Sequence, residues 1–466
     1  MLRRVTAVTW ATARRRAGVR WMVLGGMVTV MAHAAVRSMR KGRPLTSPRG
    51  GLGDGPVEAT AGRFPTAASL DRRSPRALRL RSSPLNVTVK SAADYRLVHR
   101  WIGPELPIAE PSEWDISMVT HTTVDHLDDL VHGASAWRGP VSVAVLVRTA
   151  SDLDAVVTAI PVLAGCPAVA HRVTVHLAIA AAASKDPGLR LRIATVPTTW
   201  SEVEAASVHF DGNISRSSAE CGMTALMVAA AVGYGDGNYA KRAVYPNNLL
   251  RNLARGDATT PWALTVDVDM VVAPPTLFDD WRRLGRAGQL PQGRTIGYVL
   301  PAFEVRAPVA GAVVELPLSR PAICRAFNRT VRPFYWEPCT KCHMDTGYEE
   351  WLAGNAEAAP YHAAYHDPWE PFYISETRLT PAYDERFVQY GFNRVSQVCA
   401  MWMAGFDFVV VRHAFVLHIG WKTKERFHQR KQAEQDANRL VYRRLKEELK
   451  RRYPGPRRCN KHGHHV

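Results

Sequence analysis

The chain has 466 residues, 46% of them hydrophobic and 13 of them tryptophan, which suits one large folded domain or two ordinary ones and excludes a disordered chain. A net charge of +18 favours acidic partners, but much of the excess lies near the two ends, and neither zinc-finger spacing nor a basic stripe with interleaved aromatics is present. Nucleic-acid binding is therefore set aside, leaving anionic lipid or phosphorylated and carboxylated substrates.

Taken in chain order, residues 1–20 form a basic tail that includes Arg14, Arg15 and Arg16. "WMVLGGMVTVMAHAAV", residues 21–36, carries no formal charge and reads as a signal-anchor, with Ala32-His33-Ala34 as the alternative of a cleavable leader. Residues 37–90 are rich in Arg, Pro, Gly, Ser and Ala and predict a flexible stem. Both readings of the leader send the chain into the secretory lumen, as do the sequons at Asn86, Asn213 and Asn328. Seven cysteines in an oxidising lumen leave at least one without an intramolecular partner. The "CTKCH" motif at 339–343 reads as a structural disulfide or cysteine cluster, with zinc and haem as weaker alternatives.

The folded domain is expected from residue 91 to 453, followed by a basic tail, 454–466. "PVSVAVLV" (140–147) is a continuous β-branched run, as in a parallel strand covered on both faces. Ser151 to Asp154 predict a helix start of capping-box type. "RVTVHLAIA" (172–180), "ALTVDVDMVV" (263–272) and "TIGYVLPAFEV" (295–305) predict three further strands. The intervening "YPNNLLRNLARG" (245–256) places Leu249, Leu250 and Leu253 on one helical face. From Phe334 to Phe387 the sequence is aromatic and Pro-punctuated, and a charged helix is expected over 424–452. Alternating strands and helices imply an α/β domain with a mainly parallel central sheet flanked by helices.

Asp267 and Asp269 interrupt the apolar run "LTVDVDMVVAPP" just before two prolines. Two residues apart, they project to one side of an extended chain. Carboxylates in apolar surroundings need a compensating charge, and the carboxyl end of a strand in an open α/β sheet is where ligands bind. A hard divalent cation whose shell is completed by a diphosphate satisfies both. No Gly-rich phosphate loop is present, so a nucleotide here is held through the metal and side chains.

"AWRGPVSVAVLV", "YPNNLLRNLAR", "LTVDVDMVVAP", "CTKCHMDTGYEEW", "PWEPFYI", "YDERFVQYGFNRVSQ" and "FVLHIGWK" together resemble the β-1,4-glucuronyltransferase 1 family and, beyond it, the glucuronyl half of the matriglycan-extending xylosyl- and glucuronyltransferases. The resemblance runs from about residue 114 to 453. It implies a GT-A fold and a single-pass type II Golgi membrane enzyme. It implies Mn²⁺-dependent transfer of glucuronic acid from UDP-glucuronate, with inversion, to a β-linked xylose of the O-mannosyl glycan on α-dystroglycan. It also implies a matriglycan-extending transferase as a partner. In this reading Asp267 and Asp269 match the family's metal-binding pair, and His418 supplies a third ligand, with His413 as its competitor.

Inversion needs a general base, and many inverting GT-A enzymes carry it in a G-x-E-D segment. The comparable stretch here, Gly391-Phe392-Asn393-Arg394, has no carboxylate. Glu370, with Trp369, Phe372 and Tyr373 as an aromatic floor for the acceptor sugar, is the first candidate; Asp384 is the second. Arg251, Asn252, Arg394 and Lys422 are candidates for donor contact, together with Asp267, and Arg251 is expected on an exposed helix face or at the donor carboxylate. The rival readings are a GT-A transferase for UDP-GlcNAc or UDP-xylose, and a luminal binding protein that keeps the fold without turnover.

Overall fold

The computed structural model describes residues 94–104, 112–170, 172–181, 244–290, 295–307, 316–355, 358–424 and 430–460, with shorter stretches between 193 and 229. The expected tail, anchor and stem (1–90), the sequons at Asn86 and Asn213, and the last six residues lie outside the described residues. Among those described, no helix is long and apolar enough to cross a membrane.

β1 (Tyr95–Ile102), β2 (Ile116–Thr122), β3 (Val141–Val147) and β4 (Val173–Ala180) open the fold. β2, β3 and β4 are mutually parallel, with Met118 opposite Val141 and Val141 opposite Val173, while β1 runs antiparallel along β4. Every residue of β2 and β3 is buried, as expected of parallel strands covered on both faces. The cover comes from α1 (Leu127–Ala136), α2 (Ala150–Ala164) and α3 (Asn247–Gly256), whose apolar sides point into the sheet. The capping box of α2 sits two residues before the expected one: Thr149 Oγ1 accepts from the Asp152 amide at 3.1 Å, and Asp152 Oδ2 accepts from the Thr149 amide at 3.3 Å.

β5 (Trp262–Thr265) pairs in parallel with β2, Leu264 opposite Met118. Here the structure corrects the expected strand 263–272. The large-sheet ladder ends where the Val266 amide bonds Val119 O, the chain turns with the Met270 amide on Asp267 O at 3.0 Å, and β6 (Met270–Ala273) joins a different sheet. α4 (Leu277–Arg286) packs Trp281 against Trp262, ring centroids 5.2 Å apart, and brings Gly285 so close to Trp114 that a Cβ there would sit 2.0 Å from its ring. The expected strand 295–305 is also divided: β7 (Ile296–Leu300) belongs to the large sheet and β8 (Ala302–Val305) to the small one, with Pro301, unable to donate to a ladder, between them.

β9 (Val331–Pro333), β10 (Tyr361–Ala363), β11 (Phe372–Glu376), β12 (Asp407–Val410) and β13 (Phe415–Ile419) complete the strands, with α5 (Asn393–Met403) and α6 (Lys431–Arg452) beside them. The large sheet has the order β1-β4-β3-β2-β5-β11-β7-β12-β10, the small one β6-β13-β8-β9. The large sheet is parallel across β4-β3-β2-β5 and mostly antiparallel beyond β5, so it is mixed rather than mainly parallel. The chain passes from the large sheet to the small one after β5, after β7 and after β12. In the small sheet β13 runs antiparallel to β6, His418 opposite Met270, and that register carries His418 to the Asp267–Asp269 turn.

Cysteines pair as Cys166–Cys221, Cys339–Cys342 and Cys399–Cys459, and Cys324 is free and exposed. The "CTKCH" motif is thus a disulfide. Asn328, the sequon within the described residues, is exposed on a turn with φ of 59°.

Candidate functional site

The turn after β5 holds both aspartates, each with 31% of its side chain exposed. Asp267 Oδ1 accepts from Arg251 at 3.0 Å, and Oδ2 accepts from Arg394. Arg251 comes from the inner face of α3, where it is buried, also donates to Asn248 Oδ1 at 3.0 Å, and lies 5.5 Å from the Tyr383 ring centre. It is not the exposed helix arginine the periodicity allowed. Arg394 enters from the first turn of α5 and lies over the Phe372 ring at 4.0 Å. Asp269 faces His418 Nε2 at 3.2 Å and Lys422 Nζ at 3.4 Å. Burial by itself would raise both carboxyls. Arg394 and Arg251 overcome it at Asp267, Lys422 and His418 at Asp269, and both acids stay well below the usual carboxylate range.

Lys422 is itself held by its backbone. Its amide donates to Glu304 Oε2 at 2.9 Å, and its carbonyl accepts from Arg332 at 3.0 Å, while Arg332 also pairs with the fully buried Glu304. The neighbouring Trp421 ring lies between Arg332 and Arg306, at 4.3 and 4.5 Å.

Among the described residues no three His, Cys, Asp or Glu side chains converge as a ready metal cage, because the two carboxylates are shared out among cations. The donor chemistry nevertheless fits a divalent ion. His418 Nδ1 lies 2.6 Å from the Gly420 carbonyl, an acceptor only, so Nδ1 carries the proton. His418 Nε2 faces Asp269 Oδ2 at 3.2 Å, a nitrogen and a carboxylate oxygen that could both ligate one ion. His121, at the end of β2, gives a second sign. Its Nδ1 is 2.6 Å from Tyr245 Oη, whereas its buried Nε2 has no hydrogen-bond partner and points at Asp267 Oδ1, 4.0 Å away. Burial, reinforced by Arg251, lowers the His121 pKa to about 3, so the ring is a neutral nitrogen donor. Two carboxylates with the His121 and His418 ring nitrogens suit Mn²⁺ or a similar ion.

Glu370 lies in the same electrostatic neighbourhood, within the fields of Arg394, Asp267 and Arg251. Its amide donates to the Cys342 carbonyl at 2.9 Å, and among the described residues its carboxylate has no hydrogen bond or ion pair. Burial raises its pKa to about 7, the arginines opposing and Asp267 adding to that rise. A carboxyl poised near neutrality beside an anion site has the properties of a general base.

The remaining candidates are placed elsewhere. Asp384 is engaged by Arg386, which also binds Glu448 of α6. Asn252 spends its amide on the 383–385 segment, donating to Tyr383 O at 2.8 Å and Glu385 Oε1 at 2.9 Å and accepting from the Tyr383 amide, so it shapes that loop rather than facing Asp267. His413 lies in the field of Asp280 and Arg283 of α4, away from the aspartates. Trp369, Phe372 and Tyr373 are core residues with at most 4% exposure, which overturns the aromatic floor expected beside Glu370. Three members of the neighbourhood were not anticipated: His121, His343 and Tyr390. His343 is buried against Phe372 and its pKa falls to about 3, through burial first and Arg394 second. A histidine at the carboxyl end of the apolar strand "ISMVTHT" was the available signal for His121.

A second polar line, Ser142–His176–Asp257, resembles a nucleophile triad and is a structural bond chain. His176 Nδ1 accepts from the Arg100 amide at 2.9 Å, so Nε2 donates to Ser142 Oγ at 3.0 Å, and Ser142 donates to Ala254 O at 2.6 Å. Ser142 and His176 are buried, and the serine proton already has an acceptor.

A family model described as "Glycosyl-transferase for dystroglycan" matches residues 115–454. The human protein named Beta-1,4-glucuronyltransferase 1 is 36% identical over 355 residues, 74% of this chain and 78% of that one. Xylosyl- and glucuronyltransferase LARGE1 of Danio rerio is 29% identical over 232 residues, 47% of this chain and 29% of its own length. Among solved structures, GalNAc-T7 with UDP, GalNAc and Mn²⁺ aligns at a TM-score of 0.32 and 11% identity, covering 74% of this chain and 55% of that one.

Proposed function

This chain belongs to the family of glycosyl-transferases for dystroglycan, and on that premise we propose that it transfers glucuronic acid from UDP-glucuronate, with inversion, to a β-linked xylose. The GT-A class, Mn²⁺, the O-mannosyl glycan of α-dystroglycan as acceptor and a type II placement in the Golgi membrane belong to the same proposal. The observation that carries it is the meeting of Asp267, Asp269 and His418 at the carboxyl end of a parallel strand, with Arg251 and Arg394 on Asp267.

In this mechanism Asp267, Asp269 and His418 would hold the ion, with His121 Nε2 4.0 Å from Asp267. Bound there, Mn²⁺ supplies Lewis-acid stabilisation of the departing diphosphate. Arg251 and Arg394, which now share Asp267, and Lys422, which now shares Asp269, are the cations available to the donor's phosphate and carboxylate oxygens. Glu370 takes the proton of the acceptor hydroxyl as its oxygen forms the bond to the sugar's anomeric carbon. The bond from that carbon to the diphosphate breaks, and its electron pair leaves with UDP. Glu370 ends protonated, the nucleotide leaves with its negative charge, and the anomeric configuration is inverted.

The test is a transfer assay of the purified protein with Mn²⁺, a β-xyloside acceptor, and UDP-glucuronate, UDP-GlcNAc or UDP-xylose as donor, followed by linkage analysis. A β-linked glucuronyl product formed from UDP-glucuronate alone is expected. Preferential transfer from either of the other donors, or a retained α linkage, would overturn the assignment.

A further inference from the structure

With Trp369, Phe372 and Tyr373 in the core, the acceptor sugar needs another surface, and the structure offers one on the segment whose Cys342 carbonyl holds the Glu370 amide. Trp336 is 45% exposed, and among the described residues its indole makes no hydrogen bond or ring contact. An exposed indole offers a broad, flat apolar face with a polar edge. The preceding residue, Tyr335, is half-buried, and its hydroxyl hydrogen-bonds that of Tyr390, 55 residues away. Burial raises the Tyr390 phenol above its ordinary pKa, and the Glu370 carboxylate adds to that rise. The short helical turn Trp336–Cys339 is closed by the Cys339–Cys342 disulfide, and the Cys342 carbonyl holds the Glu370 amide. Trp336, the tyrosine pair and Glu370 are thus tethered to one small framework.

The backbone adds an independent sign. Tyr335 has φ 59° and ψ 23°, left-handed values that an aromatic residue adopts only at a cost. Tyr390 is bracketed by Gln389 (φ 58°), Gly391 (φ 97°) and Phe392 (φ 60°), all positive. Strained backbone on both sides of a single hydrogen-bonded pair, next to an unpaired acid, is the pattern of a site that positions a ligand.

We infer that Trp336, Tyr335 and Tyr390 form the acceptor platform, with a neutral β-pyranoside lying on the indole and one of its hydroxyls meeting the tyrosine pair on the way to Glu370. A pyranose with equatorial hydroxyls presents only C–H bonds to a flat aromatic face, which suits a β-xyloside. This inference rests on the reading of the chain as an inverting sugar transferase.

The experiment compares wild type with Trp336→Ala, Trp336→Phe and Tyr390→Phe, measuring acceptor KM and kcat for a β-xyloside at saturating UDP-glucuronate and UDP affinity by calorimetry in Mn²⁺. Trp336→Ala is expected to raise acceptor KM about tenfold, and Trp336→Phe to restore most of that loss. Tyr390→Phe is expected to lower kcat with a smaller change in KM, and UDP affinity should stay at the wild-type value in all three. An acceptor KM within twofold of wild type in Trp336→Ala, with kcat intact in Tyr390→Phe, would overturn the platform. If wild type binds UDP but transfers no sugar, the transferase reading fails by itself. Saturation-transfer NMR of the β-xyloside on wild type and Trp336→Ala then decides the platform, binding lost in the variant supporting it and equal binding refuting it.

Discussion

Glu370→Gln should lower kcat by roughly 10²- to 10⁴-fold, the usual contribution of a positioned general base, and should leave UDP affinity in Mn²⁺ unchanged. The amide is nearly isosteric, so Cys342 O keeps its bond from the residue 370 amide, and what is lost is the proton acceptor. The pH dependence gives the sharper readout. Burial holds the Glu370 carboxyl at about 7, and a base acts only when deprotonated. Wild-type kcat/KM should therefore rise with pH through about 7 and level off above it, and the rising limb should be absent in Glu370→Gln. A profile flat from pH 5.5 to 8.5 in wild type, or an unchanged limb in the variant, would remove Glu370 from the role. Asp384→Asn serves as the control. Its partner Arg386 is an exposed surface arginine, so a small effect on transfer is expected.

Asp269→Asn should cost transfer a factor of about 10³ or more. The substitution preserves shape and removes the charged oxygen that faces His418 and Lys422. A charge-bearing ligand contributes both ion affinity and, through the ion, stabilisation of the departing diphosphate, effects that multiply. Stability should change little. The Asp269 and Lys422 side chains are 31% and 36% exposed, and partly exposed pairs contribute on the order of 1 kcal/mol or less. A Tm close to wild type with transfer lost locates the defect in the site; transfer within threefold of wild type would show that Asp269 holds nothing essential.

Much of this site was legible locally. Asp267 and Asp269 stand out because carboxylates in an apolar run demand a partner. Glu370 stood out as an acid among aromatics, although for the wrong reason: Trp369, Phe372 and Tyr373 read as a ligand floor and are core, since an aromatic cluster beside an acid looks the same from either side of a sheet. The parallel strands β2 and β3 were readable as unbroken β-branched runs. The division of 263–272 and 295–305 between two sheets was not, because ladder partners are tertiary. Nothing near Val266 says that its amide is the last to bond Val119, and only Pro301 marks the second break. Arg251 was expected on a helix, and it lies on one, but its burial and the sharing of Asp267 with Arg394, 127 residues from that aspartate, are tertiary. Asn252, one position further round α3, faces the 383–385 loop instead, a difference of one helical step that periodicity alone does not rank. His121 and the Tyr335–Tyr390 pair were missed because their significance lies in contacts spanning 124 and 55 residues.

The central claim is that the turn at Asp267–Asp269 binds a nucleotide's diphosphate through a divalent ion, and calorimetric titration of UDP into the protein tests it most directly. UDP should bind in the presence of Mn²⁺, lose most of its affinity in EDTA, and bind Asp269→Asn weakly under both conditions. Equal UDP affinity with and without Mn²⁺, or wild-type affinity in Asp269→Asn, would contradict it.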